Sequence, residues 1–297
     1  MSPRAPWPSP QRRPLCGLSL PNDRAFLQRC RPLIEEQAEL FEVTPEVLWR
    51  AGAQPGAGHG SMQQLLARLG RPVVGHGVLF GLGNAEPPAR RPAWLQGLQR
   101  DVAAFGCQWF SEHLGFADAG GGHATLPLPL PPTADAVAAV TANLRVLQAV
   151  HPVVAFENNA DLFCLGDPLA QPQFFAAICE RADAWLLLDL HNAFAQCRNL
   201  GVDLDSWLDR LPWDRVLEIH LSGGSESDPD WLPSRRTLRL DSHDGAVPAP
   251  VWRAFERALP RAANLRAVVL EWLPDGMTDA HAGLLAADFA RAQEALC

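Results

Sequence analysis

The seven cysteines of this 297-residue chain are scattered, and no two of them form a CxxC pair. An odd and dispersed cysteine count favours reduced thiols, as in the cytoplasm. It argues against a disulfide framework, a thiolate zinc site or an iron–sulfur cluster. No apolar run approaches the roughly 20 residues that span a bilayer, so no membrane partner is expected. Tyrosine is also absent, which we attribute to genomic composition bias.

Positive charge is scarce relative to negative charge. The chain has 25 Lys and Arg against 33 Asp and Glu, a formal net charge of −8. Its pI is about 5.6, and this balance argues against a nucleic-acid partner. Residues 1–14 are rich in proline and arginine without an apolar core, so they are not a secretory signal. We expect residues 1–14 to be a disordered tail and residues 15–297 to be one domain of a cytoplasmic protein.

Short β-type runs alternate with helical stretches from residue 15 onward. The strand candidates are Cys16–Leu20, Leu40–Thr44, Pro72–Val78, Gln108–Phe116, Val153–Asn159, Ala184–Asn192, Val216–Ser222 and Ala267–Trp272. The helix candidates are Arg24–Ala38, Ser61–Leu69, Pro92–Phe105, Thr133–Ala149, Gln171–Ala182, Leu204–Leu211, Ala249–Leu259 and Asp279–Leu296. Strand–helix alternation indicates parallel βαβ units, and eight of them predict an α/β fold, a single (β/α)8 TIM barrel. A doubly wound sheet is the structural alternative.

Histidines and carboxylates recur at the ends of these apolar runs, and we call the set the polar ring. Its members are His76, His113, Glu157, Asp189, His220, Asp241, His243 and Glu271. Active sites of TIM barrels lie at the carboxyl ends of the strands, where these residues fall. Alternation along Val216–Ser222 predicts that Glu218 and His220 face the barrel axis, whereas Leu217 and the apolar residues after it face the helices.

The ligand types of the polar ring point to metal ions. Histidine nitrogen with carboxylate oxygen suits iron, manganese or zinc. One catalytic metal takes three or four protein ligands, so eight candidates predict two or three ions. Four buried carboxylates would otherwise repel one another. In the segment DLHN, Asp189 is a predicted ligand and Asn192 could bind through its amide oxygen, while His191 could orient a ligand or face the substrate.

Other candidates have simpler expected roles. Glu42 and Glu46 are predicted to form salt bridges. His59 and His123 lie in glycine-rich segments, where solvent exposure is the expectation. His151, before a strand at the opposite end of the barrel, and His281, in the last helix, are predicted to be structural.

The order HGV, SEHL, EN, DxxN, EIHLSG, DSH, LEW resembles the multinuclear non-haem iron-dependent oxidative enzymes, a family that includes the oxidase of methanobactin biosynthesis. The similarity runs from about Gly17 to about Trp272, and the stretch from LLLDLHN to EIHLSGG carries it best. The resemblance implies that two or three irons are bound by His76, His113, Glu157, Asp189, Asn192, His220, Asp241, His243 and Glu271. Asp189, His191 and Asn192 are the residues we expect to be catalytic.

The resemblance also implies a reaction and partners. The family uses dioxygen at an iron centre to oxidise cysteine or other residues of a ribosomally made precursor peptide. A separate protein often presents the leader of that peptide, and we expect such a partner because the barrel accounts for this chain. The sequence departs from the family pattern at His191, where Asn is usual, at Gly224, where His is usual, and at Leu273, where Asp is usual.

A rival interpretation shares the same geometry. Endonuclease-IV-like and xylose-isomerase-like barrels hold zinc or manganese ions with similar ligands in the same strand order. A nuclease needs basic loops for phosphates, but the loop GGSESDPD is acidic and Asn192 stands where that nuclease pattern has His. Sugar isomerases usually carry a catalytic lysine, and this sequence contains none. A non-catalytic metal-binding scaffold is a third interpretation, disfavoured because the loops suggest an accessible site.

Overall fold

The computed structural model describes residues 13–119, 122–273 and 275–297, with all side chains in these ranges except those of residues 119 and 122–126. Most of the predicted tail, residues 1–12, lies outside the described residues. Of its last two residues, Arg13 forms an ion pair with Glu39 at 2.7 Å, next to the start of the first strand.

The core of the fold is a closed barrel of eight parallel strands. They are β1 (Leu15–Ser19), β2 (Leu40–Val43), β3 (Val73–Gly77), β4 (Cys107–His113), β5 (Val154–Glu157), β6 (Trp185–Asp189), β7 (Val216–Leu221) and β8 (Ala267–Leu270). Each strand pairs with its neighbours in sequence, and β8 pairs with β1 to close the barrel. The predicted TIM barrel is therefore confirmed, and the doubly wound alternative is wrong.

Helices surround the barrel in chain order. They are α1 (Arg24–Arg29), α2 (His59–Leu69), α3 (Arg91–Phe105), α4 (Ala134–Gln148), α5 (Gln171–Ala182), α6 (Leu190–Leu200), α7 (Leu204–Leu208), α8 (Ala249–Ala258) and α9 (Asp279–Leu296). Two small hairpins decorate the loops, Trp49–Arg50 with Gln54–Pro55 and Phe116–Ala119 with Gly122–Leu128. Within the described residues, none of the helices has both the length and the apolar character needed to cross a bilayer.

Two helices differ from the sequence prediction. The predicted helix Arg24–Ala38 is interrupted after Arg29 and continues as a π-helical turn at Leu33–Gln37. Pro32 precedes that turn and lacks the N–H donor that a continuous α-helix needs. Helix α6 was not predicted, because its first residues follow the apolar run of β6 directly and were included in the predicted strand Ala184–Asn192, whereas β6 ends at Asp189.

The barrel interior contains a closed apolar layer beneath its polar end. Its buried residues are Leu40, Val74, Trp109, Ala155, Trp185, Leu187, Leu217, Ala267 and Val269. A larger apolar core, to which Ile219 and Leu221 belong, packs between the strands and the helices. The prediction that Leu217 faces the helices is wrong. Leu186 pairs with Val216 but Leu187 pairs with Glu218, so Leu217 is an extra residue in β7 and its side chain joins the interior layer.

Trp109 gives a first prediction about stability. It is fully buried in the interior layer, and its Nε1 donates to Glu218 Oε2 at 2.7 Å. We expect Trp109→Ala to lower the free energy of unfolding by about 3–5 kcal/mol, because it opens a cavity and leaves a buried carboxylate without its donor. Urea unfolding followed by circular dichroism measures this. Trp231→Ala, at a side chain that is 62% exposed, is the control and should stay within about 0.5 kcal/mol of wild type.

Several peripheral predictions need correction. His59 is buried at the start of α2, where Nε2 lies 2.8 Å from Asp101 Oδ1, so the expected exposure is wrong. Glu46 forms no salt bridge within the described residues; it accepts hydrogen bonds from the backbone N–H groups of residues 78 and 79 and from the indole of Trp94. His123 lies on a hairpin strand, and its side chain is outside the described residues.

Two histidines have the structural roles that the sequence predicts. His151 lies before β5, and its ring nitrogens contact the carbonyl oxygens of Val153 and Cys107 at 2.9 and 3.2 Å. His281 completes a capping box with Thr278 at the start of α9. The seven cysteines are all unpaired, in agreement with the expectation of free thiols.

Candidate metal centre

The first group of the polar ring joins three neighbouring strands. His76 on β3, His113 on β4 and Glu157 on β5 place one potential ligand atom each within 4.8 Å of the others. Glu157 Oε2 lies 3.3 Å from His76 Nε2 and 3.0 Å from His113 Nε2. Three hard ligands at this spacing are sufficient for one metal ion with an open position.

The second group shares Glu157 with the first. Its members are Glu157, Asp189, His220 and Glu271, with ligand atoms again within 4.8 Å of one another. His220 Nδ1 lies 3.5 Å from Glu157 Oε1 and 3.0 Å from Glu271 Oε2. The two carboxylate oxygens of Glu157 therefore face different groups of potential ligands, so each oxygen could contribute to a different cation.

Asp241 and His243 lie beside the second group. His243 Nε2 is 2.6 Å from Asp241 Oδ1 and 3.8 Å from Glu271 Oε2. The segment that carries them has no regular secondary structure. His243 adopts the left-handed backbone conformation, with φ of 47°. Such conformations are costly for non-glycine residues and are found at functional sites.

Hydrogen bonds at Nδ1 orient the two histidines of the first group. His76 Nδ1 lies 2.9 Å from Ser111 Oγ, and His113 Nδ1 lies 2.9 Å from Asn159 Oδ1. Each ring thereby directs Nε2 toward Glu157. Partners of this kind fix the orientation and tautomer of metal-binding histidines.

Asp189 is fixed at the junction of β6 and α6. Its backbone N–H donates to Asn158 Oδ1 and its carbonyl accepts from Asn158 Nδ2, both at 2.9 Å. Its Oδ1 caps α6 by accepting from the N–H of Asn192 at 2.7 Å, which leaves Oδ2 free. Asn192 donates through Nδ2 to the carbonyl of Asn158 at 3.1 Å, so its Oδ1 is also free.

The pKa shifts in the polar ring show that its buried carboxylates favour nearby positive charge. Burial raises the pKa of Asp189 well above its ordinary value, and the charge of Asp241 adds to this effect. Burial by itself would lower the pKa of both His220 and His243. The carboxylate of Glu271 nevertheless raises that of His220, and Asp241 with Glu271 raises that of His243 to about 10. The carboxylates of the polar ring thus favour positive charge beside them, which bound cations would supply.

Unpaired polar atoms in the polar ring also fit bound metal ions. Among the buried polar atoms of the described residues that form no hydrogen bond, six belong to predicted ligands: Glu157 Oε2, Asp189 Oδ2, Asn192 Oδ1, His220 Nδ1, Asp241 Oδ1 and His243 Nε2. Buried polar groups are almost always hydrogen-bonded, because leaving one unpaired costs about 1–3 kcal/mol. These six atoms are carboxylate and amide oxygens and imidazole nitrogens, the ligand atoms that iron, manganese and zinc bind.

His191 lies behind Asp241 and is fully buried. Its Nε2 accepts from Arg239 Nε at 3.1 Å, and its Nδ1 lies 3.6 Å from Asp241 Oδ1. Burial lowers the pKa of His191, which keeps the ring neutral and able to accept from Arg239. Of the two roles that the sequence left open, this position suits the orientation of Asp241 better than contact with a substrate.

The glycine at position 224 is required by the same packing. A Cβ at Gly224 would overlap the carbonyl oxygen of Leu240 and lie 2.9 Å from Cε1 of His191. We expect Gly224→Ala to displace the segment that carries Asp241, to lower the free energy of unfolding by about 1–3 kcal/mol and to reduce metal content. Denaturant titration and elemental analysis measure the two effects.

Gly283→Ala is the control for that substitution. Among the described residues, no atom beyond the adjacent backbone of α9 lies within 4 Å of a Cβ at this position, and alanine is favoured over glycine inside a helix by about 0.5–1 kcal/mol. An unchanged metal content in Gly224→Ala would contradict the proposed contact between this glycine and the ligand-bearing segment.

Glu42 makes the kind of salt bridge that the sequence predicts, with His220, but its position beneath the candidate metal ligands was not predicted. It is fully buried inside the barrel, and its Oε2 lies 3.0 Å from His220 Nε2. With Glu218 and His220 it forms a third group of potential ligands, beneath the other two. The available signal was alternation along β2, which places Glu42 on the same inward face as Leu40.

The barrel and the ligands that converge at its carboxyl end define a TIM-barrel protein with a candidate multinuclear metal centre. Over residues 17–296 the sequence matches the family described as RiPP precursor modification enzyme MbnB/TglH/ChrH, where RiPP denotes a ribosomally made and modified peptide. The chain belongs to this family, and the resemblance seen in the sequence is confirmed. Membership of this family makes the chain a peptide-modifying enzyme.

Relatives of this chain carry the description UPF0276 protein. One from Caulobacter vibrioides is 31% identical over 255 residues, which cover 85% of this chain and 84% of that protein. Another, from Anaeromyxobacter sp., is 30% identical over 241 residues, covering 79% of this chain and 81% of that protein.

Solved structures with a similar fold include two enzymes of other classes. Endonuclease IV from Thermus thermophilus is 17% identical, with a TM-score of 0.55 and coverage of 95% of this chain and 100% of that one. D-allulose 3-epimerase from Methylomonas sp. is 13% identical, with a TM-score of 0.60 and coverage of 95% and 97%. At these identities the likeness establishes the xylose-isomerase-like barrel and not the reaction.

Proposed function

We propose that this protein is a dioxygen-dependent oxidase that uses two or three non-haem irons to modify a ribosomally made precursor peptide at cysteine. The observation that carries this proposal is the position of Glu157 between two groups of imidazole and carboxylate ligands. A carboxylate shared in this way suits a multinuclear centre, and membership of the peptide-modifying family supplies the substrate class.

The ligands divide among the ions according to their groups. His76, His113 and Glu157 would hold one ion, and Glu157, Asp189, His220 and Glu271 would hold a second. Asn192, Asp241 and His243 would complete a third site together with Glu271. Nitrogen and oxygen ligands without a thiolate are compatible with iron.

When bound, the irons would supply redox and Lewis-acid chemistry toward dioxygen and the substrate thiol. The protein residues orient this centre. Ser111 and Asn159 hold the two histidines of the first group, and Asn158 holds Asp189. We assign His191 a positioning role through its place between Arg239 and Asp241.

The peptide would approach from the carboxyl end of the barrel. The loop after β5 exposes Leu162, Phe163 and Leu165, at 47%, 51% and 44% of their surfaces. It leaves the barrel directly after Glu157, so these apolar side chains are available to a peptide entering the site. We also propose that a separate protein presents the leader of the precursor.

Elemental analysis of protein purified from iron-supplied cells tests this proposal first. We expect two or more irons per chain and, on mixing with dioxygen, a change in the electronic absorption spectrum. Incubation with candidate precursor peptides, found as short cysteine-containing reading frames beside the gene, should then consume dioxygen and change the peptide mass.

The rival function has a distinct outcome in the same experiment. Stoichiometric zinc together with cleavage of abasic DNA would overturn the oxidase and favour an endonuclease-IV-like enzyme. Manganese with sugar isomerisation would favour the isomerase-like alternative. A protein that binds iron but neither reacts with dioxygen nor alters any peptide would fit a non-catalytic scaffold.

A further inference from the structure

His220 has contacts on both ring nitrogens, and they differ in kind. Nδ1 faces the carboxylates of Glu271 and Glu157 in the polar ring, at 3.0 and 3.5 Å. Nε2 points the other way, into the barrel, and lies 3.0 Å from Glu42 Oε2. Both His220 and Glu42 are fully buried, so solvent does not compete for this contact.

We propose that Glu42 is a positioning residue that fixes His220 as the Nε2–H tautomer and directs the lone pair of Nδ1 at the metal centre. An imidazole can bind a metal ion through one nitrogen while the other donates a hydrogen bond, and that bond decides which nitrogen is free. Glu42 Oε2 is the acceptor at the inner nitrogen. The inference rests on the proposed metal centre alone, and not on iron, dioxygen or a peptide.

An alternative to the hydrogen bond between Glu42 and His220 is a further cation held by Glu42, Glu218 and His220. The geometry favours a hydrogen bond instead. Glu218 Oε1 lies 3.9 Å from His220 Nε2, outside hydrogen-bond distance, and Glu218 Oε2 already accepts from Trp109 at 2.7 Å. Among the described residues, only Glu42 is therefore in hydrogen-bond contact with Nε2 of His220.

The acceptor at His220 also differs from those at His76 and His113. Their far nitrogens contact a hydroxyl and an amide, Ser111 Oγ and Asn159 Oδ1, which are both neutral. A carboxylate acceptor raises the basicity of a ligating imidazole more than a neutral acceptor does. The ion that His220 binds is thus expected to be held more tightly than its neighbour at His76 and His113.

The first test reads the tautomer directly in the unaltered protein. Zinc-loaded protein labelled with ¹⁵N-histidine is examined by NMR, and the His220 resonances are assigned by their loss in His220→Gln. We expect Nε2 to carry the proton and Nδ1 to show the shift of a metal-bound nitrogen. A metal-bound Nε2, or a deprotonated ring bound at both nitrogens, would overturn the proposal.

The second test measures metal affinity with matched variants. Cobalt(II) or zinc(II) is titrated into the metal-free protein in competition with a chromophoric chelator. Glu42→Gln should weaken binding of the ion at His220 by about 10–100-fold, because the neutral amide is a poorer acceptor. Glu86→Gln makes the same change from carboxylate to amide at an exposed residue outside the three groups of potential ligands, and it should bind metal as the wild type does.

The outcomes separate the possible roles of Glu42. Wild-type affinity in Glu42→Gln would contradict positioning, and loss of one whole ion with the others unchanged would make Glu42 a direct ligand. Thermal unfolding of the metal-free variants reports any general damage to the fold, and the NMR test stands if Glu42→Gln fails to fold. Because no step uses iron, dioxygen or peptide, failure of the oxidase proposal would leave these results interpretable.

Discussion

Glu157→Ala is expected to reduce the metal content from about two or three ions per chain to at most one, and to abolish activity. The reason is that both oxygens of this carboxylate serve the polar ring, Oε2 toward His76 and His113 and Oε1 toward His220. Losing it deprives two donor groups at once, which no other residue of the first group would do. Elemental analysis after gel filtration measures the metal content.

Controls separate this loss from unfolding. Glu157→Gln keeps the shape of the side chain but removes its charge, so it should also lose metal while retaining the far-ultraviolet circular dichroism of the wild type. Glu86→Ala, at an exposed carboxylate in the loop after β3, should retain all ions. Retention of two or more ions in Glu157→Ala would remove this residue from the metal centre.

Removal of the metal ions should lower the melting temperature by roughly 10 °C. A ligand present at 1,000 times its dissociation constant stabilises the folded state by about 4 kcal/mol, and each kcal/mol is worth about 2–4 °C in a large domain. The metal-free protein should still fold, because the apolar layers inside and outside the barrel contain no metal ligand.

Scanning calorimetry before and after dialysis against a chelator measures this shift. Readdition of metal should restore the higher melting temperature, and Glu157→Ala should show little response to either treatment. Equal melting temperatures with and without chelator would mean that the polar ring binds no metal of consequence to folding.

The barrel was predictable because its elements repeat. Eight apolar runs separated by helical stretches have few arrangements other than a barrel, and strand ends that carry His, Asp and Glu align at its carboxyl end. The convergence of His76, His113 and Glu157 follows from these rules, since the three residues lie at the carboxyl ends of consecutive strands.

Other features were hidden because they depend on tertiary contacts. Leu217 turns inward through a register shift that no composition pattern signals. The start of α6 depends on the cap at Asp189, and no break in the sequence separates this helix from the strand before it. The burial of His59 requires Asp101 from a helix 42 residues away in sequence.

The residues of the polar ring lie on segments that differ in rigidity. Five ligands, from His76 to His220, sit on barrel strands or at their last residue, whereas Asp241 and His243 lie on an irregular segment anchored by backbone bonds at Leu240 and Leu273. Ions held by the strands should therefore exchange slowly, and the ion at the irregular segment should leave and return first. Purified protein would then be a mixture of molecules with all ions bound and molecules that lack the ion at the irregular segment. That most labile ion would also be the one that most readily accepts a new ligand.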